Sequence, residues 1–384
     1  MSPIPFGNAR ELTRALVRID SRNPALVPGA PGEGAVAAFL AGVLDAWGFR
    51  IELQETSAGR SNVIARIGAP GGRSLMFNGH LDVVGVDDMV HAPFDGTERD
   101  GKLYGRGATD MKAGIAAMCA AAARAARQGL GGEAIITAVT DEEFESAGTR
   151  RLIASGVRAD AAIVTEPTRL AICPAHRGFA WIEVTVLGRA AHGSRYDLGI
   201  DAVRGAALVV AELDRYDARE LIHHRHPLLG HASLHASTIA GGVGWSTYPE
   251  RCVLKIERRT LPGETAQHAL TEVEDACAKV RALRPEFRVS ARLVFAQGPS
   301  DVAVDAPIVT ALRRAITDAH EPVQVEGLSA WTDAALLNDA GIPAICYGPG
   351  DIMLAHAAEE YVELGQIDRA TTVLEGVLQR WFTS

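Results

Sequence analysis

The sequence predicts an α/β protein, a mostly parallel sheet between helix layers, with a smaller α+β domain inserted into it. Three observations carry this. Toward both ends of the chain, short apolar runs alternate with helical patterns, the rhythm of strands joined by helical crossovers. Between Pro174 and Phe295 the order becomes strand, helix, strand, strand, helix, strand, the ferredoxin-like pattern. The length of 384 residues exceeds what one core usually serves. The expected division is residues 1–173 with 296–384 as one domain and 174–295 as the insert.

Element by element, Asn8 and Glu11 resemble a capping box ahead of a face made by Leu12, Ala15, Leu16 and Ile19. Val36, Phe39, Leu40, Val43, Leu44 and Trp47 recur at helical spacing, and Gly48 is placed to end that helix. Phe49 to Leu53 and Asn62 to Ile67 alternate as strands do, while Ser74 to Gly79 is almost continuously apolar, as a strand covered on both faces should be. Ile115 to Gln128 reads as an alanine-rich helix closed by Gly129. Glu133 to Thr140 and Asp160 to Thr165 are further short strands. Within the insert, strands are expected at Phe179–Leu187, Ala232–Ala240, Arg251–Thr260 and Phe287–Phe295, with helices at Ile200–Leu213 and Glu264–Leu283. Helical patterns at Ile308–Ala319, Thr332–Asn338 and Gln366–Phe382, and a strand at Pro343–Tyr347, complete the chain.

Composition limits the function. The net charge of −9 argues against nucleic acid or an anionic membrane as partner. Cys119, Cys173, Cys252, Cys277 and Cys346 are widely spaced in apolar runs, which reads as buried thiols in a reducing compartment. No run reaches the length of a membrane span, and Met1 to Arg10 lacks the apolar core of a signal peptide, so a cytoplasmic location is expected.

The chemistry concentrates at strand ends. His80 and Asp82 end one apolar run, Glu142 and Glu143 a second, and Glu166 a third; Asp110 joins a glycine-rich loop to the alanine-rich helix, and His356 lies in a late loop. Each has an ordinary reading alone, Asp110 as a helix N-cap above all. Together they would line the crevice at the carboxyl edge of an open α/β sheet. Two histidines with several carboxylates and no cysteine suit borderline to hard divalent ions, with zinc favoured and manganese or cobalt also possible. One aspartate can bridge two such ions, and Asp110 is the natural bridge. Of the adjacent pair Glu142 and Glu143, one can bind metal while the other serves as base. The histidines at 223, 224, 226, 231 and 235 read as solvated or paired side chains of a connection.

The segments Phe77–Asp82, Gly105–Gly114, Asp141–Glu143, Thr165–Pro167, Gly348–Gly350, Ala355–His356 and Glu360–Tyr361 resemble, in this order, the zinc-dependent amidohydrolases and exopeptidases: acetylornithine deacetylase, succinyl-diaminopimelate desuccinylase, aminoacylase and carboxypeptidase G. The resemblance implies a zinc-exopeptidase-like fold in which His80, Asp110 and Glu166 hold one ion, and Asp110, Glu143 and His356 the other. It further implies that Asp82 orients His80, that Glu142 is the general base, and that the insert is a lid that pairs two subunits into a homodimer. His192 would reach the partner's site to stabilise the oxyanion, and Arg259, rather than Arg258, would grip a substrate carboxylate. Ser246 stands where the family usually has asparagine, as a substrate contact. The implied reaction is hydrolysis of an N-acyl amino acid; a dipeptidase or carboxypeptidase, a two-metal phosphoesterase and a catalytically silent binding protein are the alternatives.

Overall fold

The computed structural model describes residues 3–383; Met1 and Ser2, the start of the Met1–Arg10 stretch, and Ser384 lie outside the described residues. The chain divides into two compact units, one of residues 1–174, 302–326 and 332–384, the other of 175–301 and 327–331.

The first unit is built on a sheet whose centre is parallel: Glu133–Val139 beside Ser74–His80, then Ala162–Val164, then Ala344–Cys346. Helical crossovers impose that direction, and both faces of these strands are buried, which explains their unbroken apolar runs. The edges are antiparallel. On one side lies the hairpin Arg50–Ser57 with Arg60–Gly68, and on the other Cys173 pairs with Cys346. On one face, Leu75, Phe77, Ala134 and Ile136 share a core with helices Ala9–Val17, Ala113–Gln128, Pro307–Asp318 and Leu364–Thr383. Shorter helices, Ala147–Ala154 and Ala334–Asp339, pack on each other and on the sheet. Asn8 caps the first helix by accepting the Glu11 N–H, and Gly129, at φ 93°, ends the alanine-rich one.

Among the strands that the sequence did not reveal, Thr97–Arg99, Lys102–Tyr104 and Tyr361–Glu363 form a small antiparallel sheet. Each is three residues long, too short for alternation to show.

The second unit has strands Gly178–Leu187, Ser233–Gly241, Arg251–Thr260 and Arg288–Gln297 and helices Ala202–Arg219 and Ala266–Leu283. Taken as strands one to four, they lie in the order two, three, one, four, all antiparallel, the ferredoxin-like arrangement. Ala180, Ile182, Val184 and Val186 face the helices and, with Leu254, Ile256, Val209, Val273 and Val280, make the core. The expected boundary at Phe295 falls short. The last strand runs on to Gln297, and Gly327–Trp331 returns to this unit through non-local bonds, Arg177 N–H to Leu328 O (3.4 Å) and Trp331 Nε1–H to Gly298 O (2.9 Å).

Among the described residues no helix is long and apolar enough to cross a membrane. The five cysteines are free and buried.

Packing at the start of the alanine-rich helix is testable through two glycines. A Cβ on Gly114 would lie 2.0 Å from the Thr165 carbonyl oxygen, so Gly114→Ala is expected to cost at least ~1–3 kcal/mol in chemical denaturation. Gly42, inside the exposed part of helix Gly34–Ala46 with nothing within 4 Å of an added Cβ, should instead gain ~0.5–1 kcal/mol as alanine.

Candidate active site

In the parallel part of the sheet, His80 is in register with Val139, and Asn78 with Val164, so three strands end at one edge. Residues that follow them are delivered to one crevice. His80 is the last residue of the first strand, Glu142 and Glu143 follow the second, and Glu166 follows the third. Asp110 enters from the loop before helix Ala113–Gln128. Its backbone is extended (φ −118°, ψ 93°) and the helix is preceded at its cap position by Lys112, so the Asp110 carboxylate is not an N-cap. His356 follows the single turn Ile352–Leu354 with φ 61°.

These side chains form two groups that could each hold a metal ion. Ligand-type atoms of His80, Asp110 and Glu166 lie within 4.8 Å of one another, as do those of Asp110, Glu143 and His356. Asp110 belongs to both, with Oδ1 3.0 Å from His80 Nε2 and Oδ2 3.4 Å from His356 Nε2. Glu143 Oε2 lies 3.0 Å from His356 Nε2.

Crowded carboxylates perturb one another here. Burial raises the pKa of Glu142; His80 opposes this, and the charges of Glu166, Asp333 and Glu143 reinforce it. Glu166 and Glu143 are raised by burial and by the Asp110 charge. Asp110 is held below the usual carboxylate range: burial would raise it, but hydrogen bonds from His356 and His80 prevail. Burial opposes protonation of His356, yet Asp110 and Glu143 bring its pKa up to about 11.

Asp82 is fully buried beneath the site. Its Oδ1 accepts the Glu142 N–H (3.1 Å), and its Oδ2 accepts the Glu143 N–H (3.2 Å) and Asn23 Nδ2–H (2.8 Å). His80 Nδ1 donates to the main-chain oxygen of Asp82 at 3.0 Å, while the carboxylate stays 3.6 Å away. The expected carboxylate–imidazole contact is therefore the longer of the two; the carboxylate mainly anchors the loop of Glu142 and Glu143.

Several supporting residues were not candidates in the sequence. Asn23 also donates to Asp141 (3.1 Å), Arg60 donates to Asp141 (3.0 Å) and Glu33 (2.6 Å), and Glu33 accepts the Asp141 N–H (3.1 Å). Asp333, buried with its pKa pushed up to about 6 by burial, accepts Thr149 Oγ1–H at 2.6 Å. The pairs are separated by up to 184 positions and carry no local signal.

The remaining candidates lie in the second unit. His192 is exposed, with Nδ1 2.8 Å from Ser194 Oγ; it bridges Thr247, and the Gly193 N–H donates to Ser246 O at 2.7 Å, so His192 and Ser246 share one loop pair. Arg258 is fully buried between Glu264 and Glu272, bonding each through two of its three guanidinium nitrogens. Arg259, on the opposite face, has a side chain 31% exposed, donates Nε–H to Glu257 at 2.6 Å and lies over Phe179. His224, His226 and His231 are paired with Glu264, Asp301 and the Ala232 carbonyl. His224, Glu264 and Glu272 also approach one another closely, but the Arg258 guanidinium already serves both glutamates.

A parallel sheet that gathers two histidine-carboxylate groups around one shared aspartate could hold the metal ions of a hydrolase. The profile of Peptidase family M20/M25/M40 matches residues 76–380, and the chain belongs to that family. It is 31% identical over 342 residues to an acetylornithine deacetylase of Myxococcus xanthus, covering 86% of this chain and 88% of that protein. A succinyl-diaminopimelate desuccinylase of Paracoccus denitrificans is 30% identical over the full length of both chains (100% of each). A tripeptidase structure from Staphylococcus aureus superposes with a TM-score of 0.80 over 100% of both chains at 16% identity, which shows the fold.

Asp82→Asn keeps the shape of the side chain but replaces one acceptor oxygen with a donor. One of its three N–H donors then loses its acceptor, and urea denaturation should show a loss of ~1–3 kcal/mol. Unchanged stability would mean that the carboxylate does not anchor the loop.

Proposed function

We propose that the chain is a two-metal hydrolase that removes the acyl group from an N-acyl amino acid. The observation that carries this is the sharing of Asp110 between the two groups, with Glu142 beside them and in neither. The donor set fits two divalent ions, since each group offers one histidine and two carboxylates, with no cysteine, and the shared carboxylate has an oxygen for each. Asp110, Glu142, Glu143 and Glu166 when ionised would bring four negative charges to an edge where two divalent ions bring four positive ones. His80 and Glu166 would hold one ion, Glu143 and His356 the other, with Asp110 between them; zinc is favoured, and cobalt or manganese suits the same donors.

When bound, the ions would supply Lewis acidity toward the scissile carbonyl and a water acidic enough to react near neutral pH. Glu142 takes the proton of the attacking water and passes it to the leaving amine. Asp82 holds the peptide N–H groups of Glu142 and Glu143, so that neighbours in sequence keep different tasks. Arg259 grips the substrate carboxylate. Its exposure supports this, whereas Arg258 is consumed by Glu264 and Glu272. Ser246, whose carbonyl accepts the Gly193 N–H next to His192, is proposed as a substrate contact.

Two relatives aligned over most of the chain are named deacylases, which favours that activity over peptide cleavage. A homodimer is proposed because strand Ser233–Gly241 lies at an open sheet edge and the adjoining loops expose Tyr196, Val243 and Trp245. His192, on those loops, would stabilise the oxyanion in the partner's site. The buried free thiols fit a cytoplasmic setting.

Assays on a panel of N-acetyl and N-succinyl amino acids, dipeptides and a phosphate ester test the reaction; faster turnover of dipeptides would replace deacylase with dipeptidase. Glu142→Gln should keep both ions while kcat falls at least ~100-fold, and Glu143→Gln should lose metal. A metal-depleted Glu142→Gln protein would reverse the two assignments.

Subunit mixing tests the dimer. Glu142→Gln and His192→Ala, each nearly inactive, should recover about a quarter of wild-type activity when refolded together, since roughly half the dimers are mixed and each mixed dimer holds one intact site. A mixture that exchanges subunits and stays inactive would assign His192 to its own subunit or to no catalytic task.

A further inference from the structure

We infer that the buried ion pair Arg106–Glu360 is a positioning device for the metal centre, holding Asp110 in register with the segment that carries His356. This rests on the two-metal reading above.

The two segments are fastened along their length. Strand Lys102–Tyr104 pairs with Tyr361–Glu363, and the next bond is the Gly105 N–H to the Glu360 carbonyl at 3.2 Å. From there the Glu360 side chain continues the attachment: Oε1 accepts the N–H groups of Thr109 (3.0 Å) and Asp110 (3.1 Å), while Oε2 accepts from Arg106 Nη1 at 2.8 Å. Arg106 also donates to Gly85 O (2.9 Å), to Ala357 O beside His356 (3.4 Å), and to Asp88 (3.4 Å). One segment thus ends in Asp110, and the other begins with His356, four positions before Glu360.

Arg106 is 2% exposed and Glu360 0%. A buried ion pair is a poor source of net stability, because desolvation offsets the attraction. It does set geometry. A charged carboxylate makes stronger bonds to peptide N–H groups than a neutral acceptor does, and bonds at Asp110's own amide leave its peptide little freedom. Asp110 and His356 belong to the same candidate ligand group, so the relation the ion pair maintains is the one that group requires.

The test uses zinc itself, titrated against a chromophoric chelator, with the melting temperature of the metal-free protein measured alongside. Wild type should bind two zinc ions. Glu360→Ala should bind one of them at least ~10-fold more weakly, and Glu360→Gln, which keeps an oxygen for the two N–H groups, should fall between. Should Glu360→Ala not fold, Glu360→Gln decides alone. Wild-type zinc affinity in a folded variant, even with a lowered melting temperature, would make the pair structural only and overturn the inference. Wild-type protein that binds no zinc would overturn the two-metal reading beneath it.

Discussion

Mutual repulsion among carboxylates is the constraint to which the site and its surroundings respond. Asp110, Glu142, Glu143 and Glu166 share one sheet edge with His80 and His356 as neighbouring imidazoles. Left to solvent, such side chains would spread apart. Here buried side chains also hold them by their backbone N–H groups. Asp82 accepts the consecutive N–H groups of Glu142 and Glu143, and Glu360 those of Thr109 and Asp110. Each buried acceptor leaves the carboxylates of the residues it holds free to face one another. Each is itself supported, Asp82 by Asn23 and Glu360 by Arg106.

The same economy appears in the second unit with opposite charge. Arg258 and Arg259 are neighbours on one strand, so their side chains fall on opposite faces of the sheet. The inward one is neutralised by two glutamates and joins the fold. The outward one keeps its guanidinium partly exposed beside a single glutamate, Glu257. Adjacent residues of one type thus acquire different surroundings from the alternation of a strand.

What the sequence determined by itself is what local pattern encodes. The helix at Gly34–Ala46, the buried strand at Ser74–His80 and the βαββαβ order of the second unit were legible because apolar spacing reports which face of an element is covered. The metal-type residues were legible because parallel strands must end at one edge, and His80, Glu142, Glu143 and Glu166 stand at those ends. Only the tertiary structure decided how they are held. Asn23, Glu33, Arg60, Asp141, Asp333 and the pair Arg106–Glu360 join positions up to 254 apart, and no window of sequence contains both partners. It also decided that Asp110 does not cap its helix, because whether a carboxylate turns toward its own helix or toward two distant histidines depends on where folding places those histidines.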